Sequence, residues 1–341
     1  MGGMGLRGAE DHAPGAYAAS FLSSQPLSRE LQGRQEDESP TTLPPELLGL
    51  ITARMGEEEE VTVVQLESLS QKAISLQVDL HNLHILKEEL TQGGQVRDTA
   101  RMNSLGLPRA GAWLLATPIH ALGLHLRPSE FTMAARYRLG CQVYDREGPC
   151  PACLKPSDCY GDHALCCGSG GERISRHNQL RDHLHDLAAS AALNPSKESR
   201  FLLPGQDRRP ADVYIPCWAS GLDAALDVTV VHPLQAATLQ GAAENPGFAL
   251  DFRYGTKMAG AAQACQREGI KYLPIVSESL GGFHKVAEHE IKKLTAAKAR
   301  HTGQDEAEAM RHAFTRLSIL IMRGNAAILS NRIPFYPLED N

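Results

Sequence analysis

This chain of 341 residues has few aromatic residues and no excess of basic residues. Only 5% of the residues are Phe, Trp or Tyr, so a hydrophobic core must depend on Leu, Ala and Val. The 34 Lys and Arg residues are outnumbered by 40 Asp and Glu residues, which gives a formal net charge of −6. Because nucleic-acid binding requires positive charge close to the phosphates, any DNA contact of this acidic chain must be local.

Long apolar runs are absent as well. No run approaches the roughly 20 residues that a membrane-spanning helix needs, and residues 1–20 lack the basic-then-apolar order of a secretory signal peptide. We therefore expect a soluble, intracellular protein that has no membrane partner.

Composition and periodicity divide the chain into five segments. Residues 1–60 are predicted to be a flexible N-terminal segment and linker, since 23–60 are rich in Ser, Pro and charge. Apolar residues at helical spacing from Val61 to Leu90 predict amphipathic helices within a helical connector region over 61–140. Residues 141–170 hold clustered cysteines, residues 171–330 are predicted to form an α/β domain, and residues 331–341 are a tail.

Six of the eight cysteines lie within residues 141–167. The Cys150-x-x-Cys153 pair offers two thiolates to one tetrahedral ion, and His163 and Cys167 have a spacing that suits the start of a helix. These four residues predict a closed, structural Zn²⁺ site. Cys159 and Cys166 are alternative ligands, and spacing alone does not decide between Cys166 and Cys167. A simpler interpretation, reduced cysteines that serve as small buried hydrophobic residues, suits isolated cysteines better than six in one segment.

Two aspartates fall in what otherwise resembles a pair of buried strands. β-Forming residues follow Asp212 and surround Asp227, and Gly221 lies between them as a turn residue. Two carboxylates on adjacent strands repel each other unless a cation lies between them. The pattern therefore indicates a divalent metal site, although aspartates that merely cap strand ends would show the same pattern.

The segment from Arg173 onward has the order helix, strand, strand, helix, strand, helices, which is typical of an α/β layer arrangement with a mixed sheet flanked by helices. The helix that follows the Asp227 strand contains Lys257. Lys257 borders the apolar face formed by Tyr254 and Ala261, so its ammonium group can reach inward.

The ordered segments CPAC, GDHALCC, SRHN, RRPAD, LDVTVV, KYLPIV and RGNA resemble the C-terminal region of non-LTR retrotransposon polyproteins. In that family a zinc knuckle, here 141–170, precedes a restriction-like PD-(D/E)XK endonuclease domain, here 171–330. The resemblance covers roughly residues 105–329. A Tyr/Phe-x-Asp-Asp polymerase motif is absent, so this sequence does not include the reverse transcriptase domain.

The resemblance implies a restriction-endonuclease-like core that nicks target DNA in the nucleus with catalytic Mg²⁺. Asp212 matches the Asp of the PD element, although Ala211 separates it from Pro210, and Asp227 matches the acidic residue of the next strand. Thr229 stands where the motif lysine is expected. In the retrotransposon group a lysine of the next helix takes that role, which favours Lys257 over Lys271. Glu198 matches an acidic position at the start of the core and is expected to complete the metal shell.

DNA is the expected partner, together with RNA of the element. The expected phosphate contacts are the arginines near the aspartates, although neighbouring acidic residues weaken their field: Arg173, Arg176, Arg181, Arg208 and Arg209. Ala211 and Thr229 also leave open an alternative function, that of a catalytically inactive scaffold that retains zinc and nucleic-acid binding.

Overall fold

The computed structural model describes residues 4, 6–31, 42–200, 202–203, 210–219 and 221–334. Two compact units divide the chain, one ending at Gly94 and the other beginning at Gln95. Within the described residues, no helix is both long enough and apolar enough to cross a bilayer.

The first unit is helical. Its helices are α1 (Ala9–Leu31), α2 (Pro45–Met55), α3 (Val63–Ser68) and α4 (Gln71–Gln92). The core includes Leu22, Ile51, Leu66 and Ile74, each of which is buried. Residues up to Leu31 and from Pro45 to Met55 are thus helical, where we predicted a linker over 23–60. Proline content misled that prediction, because Pro45 occupies the first position of α2, where a missing N–H costs nothing.

The second unit begins with helices and a small hairpin. In chain order these are α5 (Val96–Leu105), a 3₁₀ turn (Ala112–Leu115), α6 (Pro128–Leu139), β1 (Gly148–Pro149), β2 (Pro156–Ser157), α7 (Asp162–Cys166) and α8 (Glu172–Ser190). Strands β1 and β2 pair antiparallel, and the segment that joins them contains Cys150 and Cys153.

A four-stranded mixed sheet follows, which confirms the predicted mixed α/β class. Its strands are β3 (Ser196–Lys197), β4 (Val213–Ala219), β5 (Leu222–Val231) and β6 (Ile270–Glu278), in the order β3-β4-β5-β6. The first three strands are antiparallel neighbours, and β6 pairs parallel to β5. The accompanying helices are α9 (Leu239–Glu244), α10 (Phe248–Arg267), α11 (Lys285–Thr302) and α12 (Glu306–Ser330).

The β4–β5 hairpin forms at the predicted turn, where Gly221 has a φ of 77° that suits glycine. Helix α10 is the crossover between β5 and β6, and its buried Leu250 packs with Val231 and Val276 of those strands. Parallel strands need such a crossover. The sheet and α10 together bring the two predicted aspartates and Lys257 into one region.

Candidate zinc centre and aspartate cluster

Cys150, Cys153, His163 and Cys167 form one compact cluster, as predicted. Their ligand atoms all lie within 4.8 Å of one another. The two hairpin cysteines are fixed by a tight turn, in which Leu154 N donates to Cys150 O at 2.8 Å. His163 lies in α7 and Cys167 directly follows that helix. The choice that the sequence left open therefore falls on Cys167 and not on Cys166 or Cys159.

Asp158 positions the helix that carries His163. Its carboxylate accepts the backbone N–H groups of Tyr160, Asp162 and His163 at 2.9, 3.0 and 2.7 Å. A short polar side chain that bonds backbone groups ahead of it fixes a loop in this way. The loop between the hairpin and α7 is consequently held in the shape that brings His163 to the cysteines.

Cys150 differs in acidity from Cys166 and from its neighbour Cys153. Although a backbone hydrogen bond from Lys155 lowers the pKa of Cys153, burial and the adjacent Cys167 and Cys150 raise it overall. Burial alone would raise the pKa of the Cys150 thiol, but hydrogen bonds from the backbone of Ala152 and Cys153 and from His163 lower it to about 6. Burial raises the pKa of Cys166 to about 12, so that side chain stays a thiol. Zinc binds the thiolate form. The acidity of Cys150 therefore supports zinc binding.

Three sulfur donors and one nitrogen donor suit a tetrahedral Zn²⁺ ion and fill its coordination sphere, which is the pattern of a structural site. Cys150 Sγ lies 4.0 Å from Cys167 Sγ, and Cys153 Sγ lies 3.2 Å from His163 Nε2. The buried Arg332 lies beside the cluster, where its guanidinium is 3.8 Å from Cys167 Sγ and also forms an ion pair with Glu172. Arg332 belongs to the segment that we predicted to be a tail.

Asp212 and Asp227 lie opposite each other on the paired strands. The register that pairs Val213 with Leu226 continues one residue further, where Asp212 N donates to Leu226 O at 2.8 Å. The Asp212 carboxylate accepts from Val228 N at 2.6 Å and contacts His177 Nε2 at 3.1 Å. The hydrogen bond to Asp212 raises the pKa of His177, against the effect of its burial.

Asp227 is held by Lys257 and Tyr272. Lys257 Nζ lies 2.9 Å from one carboxylate oxygen and 2.8 Å from the other, and the Tyr272 hydroxyl donates to the second oxygen. Lys257 reaches the sheet from α10, the direction that its position beside the apolar face predicted. Burial, together with the charge of Asp227, raises the pKa of Tyr272, so its hydroxyl remains a donor.

The side chains of Lys271 and Glu198 pair with residues other than the two aspartates. Lys271 Nζ is 3.2 Å from Glu290 and is directed to that residue, not to Asp227. Glu198 is beside Asp212 through its backbone, where Glu198 N donates to Asp212 O at 3.0 Å, while its carboxylate pairs with Arg181. The Glu198 carboxylate is thus engaged by a guanidinium group.

The structure describes three of the five arginines that were predicted to contact DNA. Arg173 donates to Cys166 O at 2.7 Å, Arg176 donates to Asn325 at 2.5 Å, and Arg181 bonds Asp182 at 2.9 Å as well as Glu198. Arg208 and Arg209 lie outside the described residues. Arg181 is therefore neutralised by two carboxylates, whereas Arg173 and Arg176 bond neutral oxygens.

Sequence reasoning assigned no site role to His177, Tyr272 or Arg253. Arg253 Nε donates to Thr229 Oγ1 at 3.3 Å, so a cation from α10 does reach the position at which the family motif has a lysine. SRHN was one of the segments that carried the resemblance, which is the only signal that singled out His177. Tyr272 is paired with Ala225 in the parallel register of β5 with β6, and its hydroxyl reaches Asp227 diagonally, a contact that no local pattern reveals.

No protein-family model matches the chain, and no curated protein matches it. Apart from the zinc cluster, no group of three or more metal-ligating side chains converges in the part of the chain that is described. Mg²⁺ is nevertheless often held by only one or two carboxylates together with substrate phosphates. Asp212 and Asp227 offer the oxygen donors that Mg²⁺ prefers, so the residues present fit that ion when a phosphate supplies further ligands.

Proposed function

We propose that this chain is a metal-dependent DNA endonuclease with a restriction-like catalytic core and a structural zinc module. The observation that supports it is the meeting of Asp212 and Asp227 across the β4–β5 pair, with Lys257 of the following helix on Asp227. The resemblance to the retrotransposon endonucleases assigns these three residues to catalysis, together with Glu198, whose carboxylate is paired with Arg181. The substrate class is the phosphodiester backbone of a target DNA.

Each side chain has a role in this mechanism. Asp212 and Asp227 would hold Mg²⁺, which when bound acidifies a water molecule and neutralises charge on the phosphate. His177 and Val228 N fix the orientation of Asp212, and Tyr272 fixes that of Asp227. Lys257 forms an ion pair with Asp227. With substrate bound, its ammonium group would neutralise charge on a phosphodiester oxygen.

Nicking of supercoiled plasmid DNA in Mg²⁺ or Mn²⁺ tests the proposal. Asp227→Asn should lower the nicking rate by at least about 100-fold, because a metal-coordinating carboxylate is lost while the side-chain shape is kept. Asp223→Asn is the matched control on the same strand, since the Asp223 carboxylate bonds Tyr214 and Cys217 N instead. The proposal fails if the unmodified protein binds DNA but cuts it with neither metal.

A catalytically inactive nucleic-acid-binding scaffold is the second candidate. It is favoured by Thr229 at the motif position of the lysine and by the Lys257–Asp227 ion pair, which already balances the charge of one aspartate. Salt-dependent DNA binding without cleavage would establish this second function.

A further inference from the structure

A cavity of about 240 Å³ lies beside the aspartate cluster. Its lining includes Gly168, Gly170, Arg173, Arg176, His177 and Thr229, and no Asp or Glu side chain contributes to it. Because the space corresponds to roughly eight water molecules of about 30 Å³ each, it is large enough for a small polar ligand. Its wall is basic although the whole chain is acidic.

Arg176 is the unusual member of this wall. It is 3% exposed, its Nε has no hydrogen-bond partner, and its one hydrogen bond among the described residues goes to the neutral amide of Asn325. Among those residues no carboxylate forms an ion pair with it. Burial, with the nearby charge of Arg173, lowers its pKa to about 10. A buried guanidinium without a counterion is costly, so its position calls for an anion.

The backbone around the cavity also suits an anion. The 19-residue helix α8 begins at Glu172 after a glycine-rich loop, and Gly171 at its N-cap provides no side-chain cap. Arg173 and Ile174 of the first turn line the cavity, so the positive end of the helix dipole lies against it. Gly170 has a φ of 81°, a conformation that the loop requires and that glycine adopts without strain.

Thr229 connects the cavity to the predicted catalytic strand. It lines the cavity, and its hydroxyl accepts a hydrogen bond from Arg253 Nε, although Arg253 itself does not line the cavity. Thr229 lies two residues after Asp227 on β5. The cavity is therefore next to Asp212 and Asp227, but neither aspartate lines it.

We infer that this cavity is a phosphate-binding site, in which Arg176, Arg173 and the N-terminus of α8 bind a tetrahedral oxyanion. This inference does not depend on the proposed endonuclease activity, because it rests on the buried Arg176 and on the helix terminus. The phosphate group could belong to a DNA backbone, to a DNA 5′ end or to free phosphate. All three present negatively charged non-bridging phosphate oxygens to the guanidinium groups.

Thermal unfolding of the zinc-loaded full chain in inorganic phosphate, compared with chloride at equal ionic strength and without Mg²⁺, tests the site. Phosphate should raise Tm in a saturable manner, since a ligand that binds only the folded state stabilises it. Gly168→Asp should abolish this rise by placing a carboxylate at the cavity, and Gly168→Asn is the neutral control of the same shape. A Cβ at Gly168 has no atom within 4 Å, so both side chains fit.

Arg176→Met should also abolish the phosphate-dependent rise in Tm. If that variant does not fold, the Gly168 pair decides the matter alone. The inference is overturned if phosphate gives no saturable rise in the unmodified protein, or if Gly168→Asp and Gly168→Asn respond alike. If the unmodified protein shows the phosphate-dependent rise in Tm but does not nick plasmid DNA, the proposed endonuclease activity is refuted and the phosphate site is supported.

Competition with short single-stranded DNA identifies the source of the phosphate. An unphosphorylated oligonucleotide that displaces inorganic phosphate shows that internal phosphodiesters bind. Displacement only by the same oligonucleotide with a 5′-phosphate assigns the site to a terminal monoester. If neither displaces it, the ligand is the free anion.

Discussion

Lys257 and Lys271 are the same residue type, but their ammonium groups contact different carboxylates. Lys257 bonds both oxygens of Asp227, whereas Lys271 bonds Glu290. Under the proposed function, Lys257→Ala should lower the nicking rate by about 100-fold, because a cation directed at the developing phosphate charge is lost. Its effect on DNA affinity should be much smaller. Lys271→Ala is the control and should change neither quantity by more than about twofold. The opposite ranking of the two variants would assign the catalytic role to Lys271.

The zinc ligands give a second prediction for single residues. Cys153→Ser should reduce zinc content well below one ion per chain and lower the free energy of unfolding by several kcal/mol, because metal binding and folding are linked. The exposed Cys141 is not part of the cluster, and Cys141→Ser should change neither value. Metal analysis together with denaturant unfolding provides the measurement. Absence of zinc from the reduced, unmodified protein would contradict it.

Residue types and spacing predicted the zinc ligands and the inward reach of Lys257, because both depend on a single short segment. They could not select Cys167 over Cys166, since that choice depends on how α7 ends. They also did not predict the contacts of Asp227 with Tyr272 or of Asp212 with His177. Those contacts join segments 45 and 35 residues apart, and only the sheet register and the packing of α8 bring them together.

Among the elements, the β4–β5 hairpin was the most predictable. β-Branched residues on both sides of Gly221 define it locally. β6 was predicted as a strand, but its pairing with β5 was not predicted. A crossover connection contains no turn signal that would identify the partner strand. The short strand β3 and the helix α9 were not predicted. They have only 2 and 6 residues, which is too short for a periodic pattern.

The end of β6 carries a pH-dependent group, Glu278, which is almost fully buried and has one carboxylate oxygen without a partner. Burial raises its pKa to about 7, and a hydrogen bond with Ser104 opposes this only in part. The folded state therefore holds a proton that the unfolded state has already lost above pH 4.5. Stability should fall as the pH rises from about 4.5 to 7, by about 3 to 4 kcal/mol at most, at about 1.4 kcal/mol per pKa unit, and then level off.

Glu278→Gln should remove this decline, because the amide stays neutral at every pH. Denaturant unfolding at pH 5 and pH 8 measures the difference. Glu268→Gln changes an exposed carboxylate and should leave the slope as it is in the unmodified protein. An identical pH dependence of Glu278→Gln and the unmodified protein would show that Glu278 is not the responsible group.

For the whole molecule, the net charge of −6 limits how it binds DNA. Arg181 is neutralised by Asp182 and Glu198, which leaves Arg173 and Arg176 as the described members of the predicted set that bond only neutral partners. Because both arginines line the same cavity and share one phosphate there, about one counterion is released, and affinity should fall roughly 3.5-fold between 50 and 200 mM salt. Titrations of labelled duplex DNA across that range test this. Arg181→Ala should keep the same salt slope, and a salt-independent affinity would exclude phosphate contacts.

The division of the molecule was only partly visible in the sequence. Clustered cysteines and the order of strands and helices indicated elements of the second unit, but the predicted boundaries lay near residues 60, 140 and 170, whereas the second unit begins at Gln95. The first unit was harder, because Pro and charged residues within residues 23–60 resemble a linker, while buried Ile51 and Met55 show that α2 contributes to a core. The composition of a segment reflects its average polarity. It does not show whether a few of its apolar side chains pack into a hydrophobic core.

The zinc module depends on residues that are synthesised much later. Arg332 contacts Cys167 across 165 positions of the chain, and the Tyr144 hydroxyl donates to Leu329 O across 185. On the ribosome, the four ligands therefore emerge long before the end of α12 that supports them. If zinc binds to the four ligands at that stage, the local module folds before the end of α12 has been synthesised. The surface of the module that contacts this end of α12 then lacks its packing partner. During the interval between zinc binding and the synthesis of that end, the surfaces that pack on the end of α12 remain exposed to solvent.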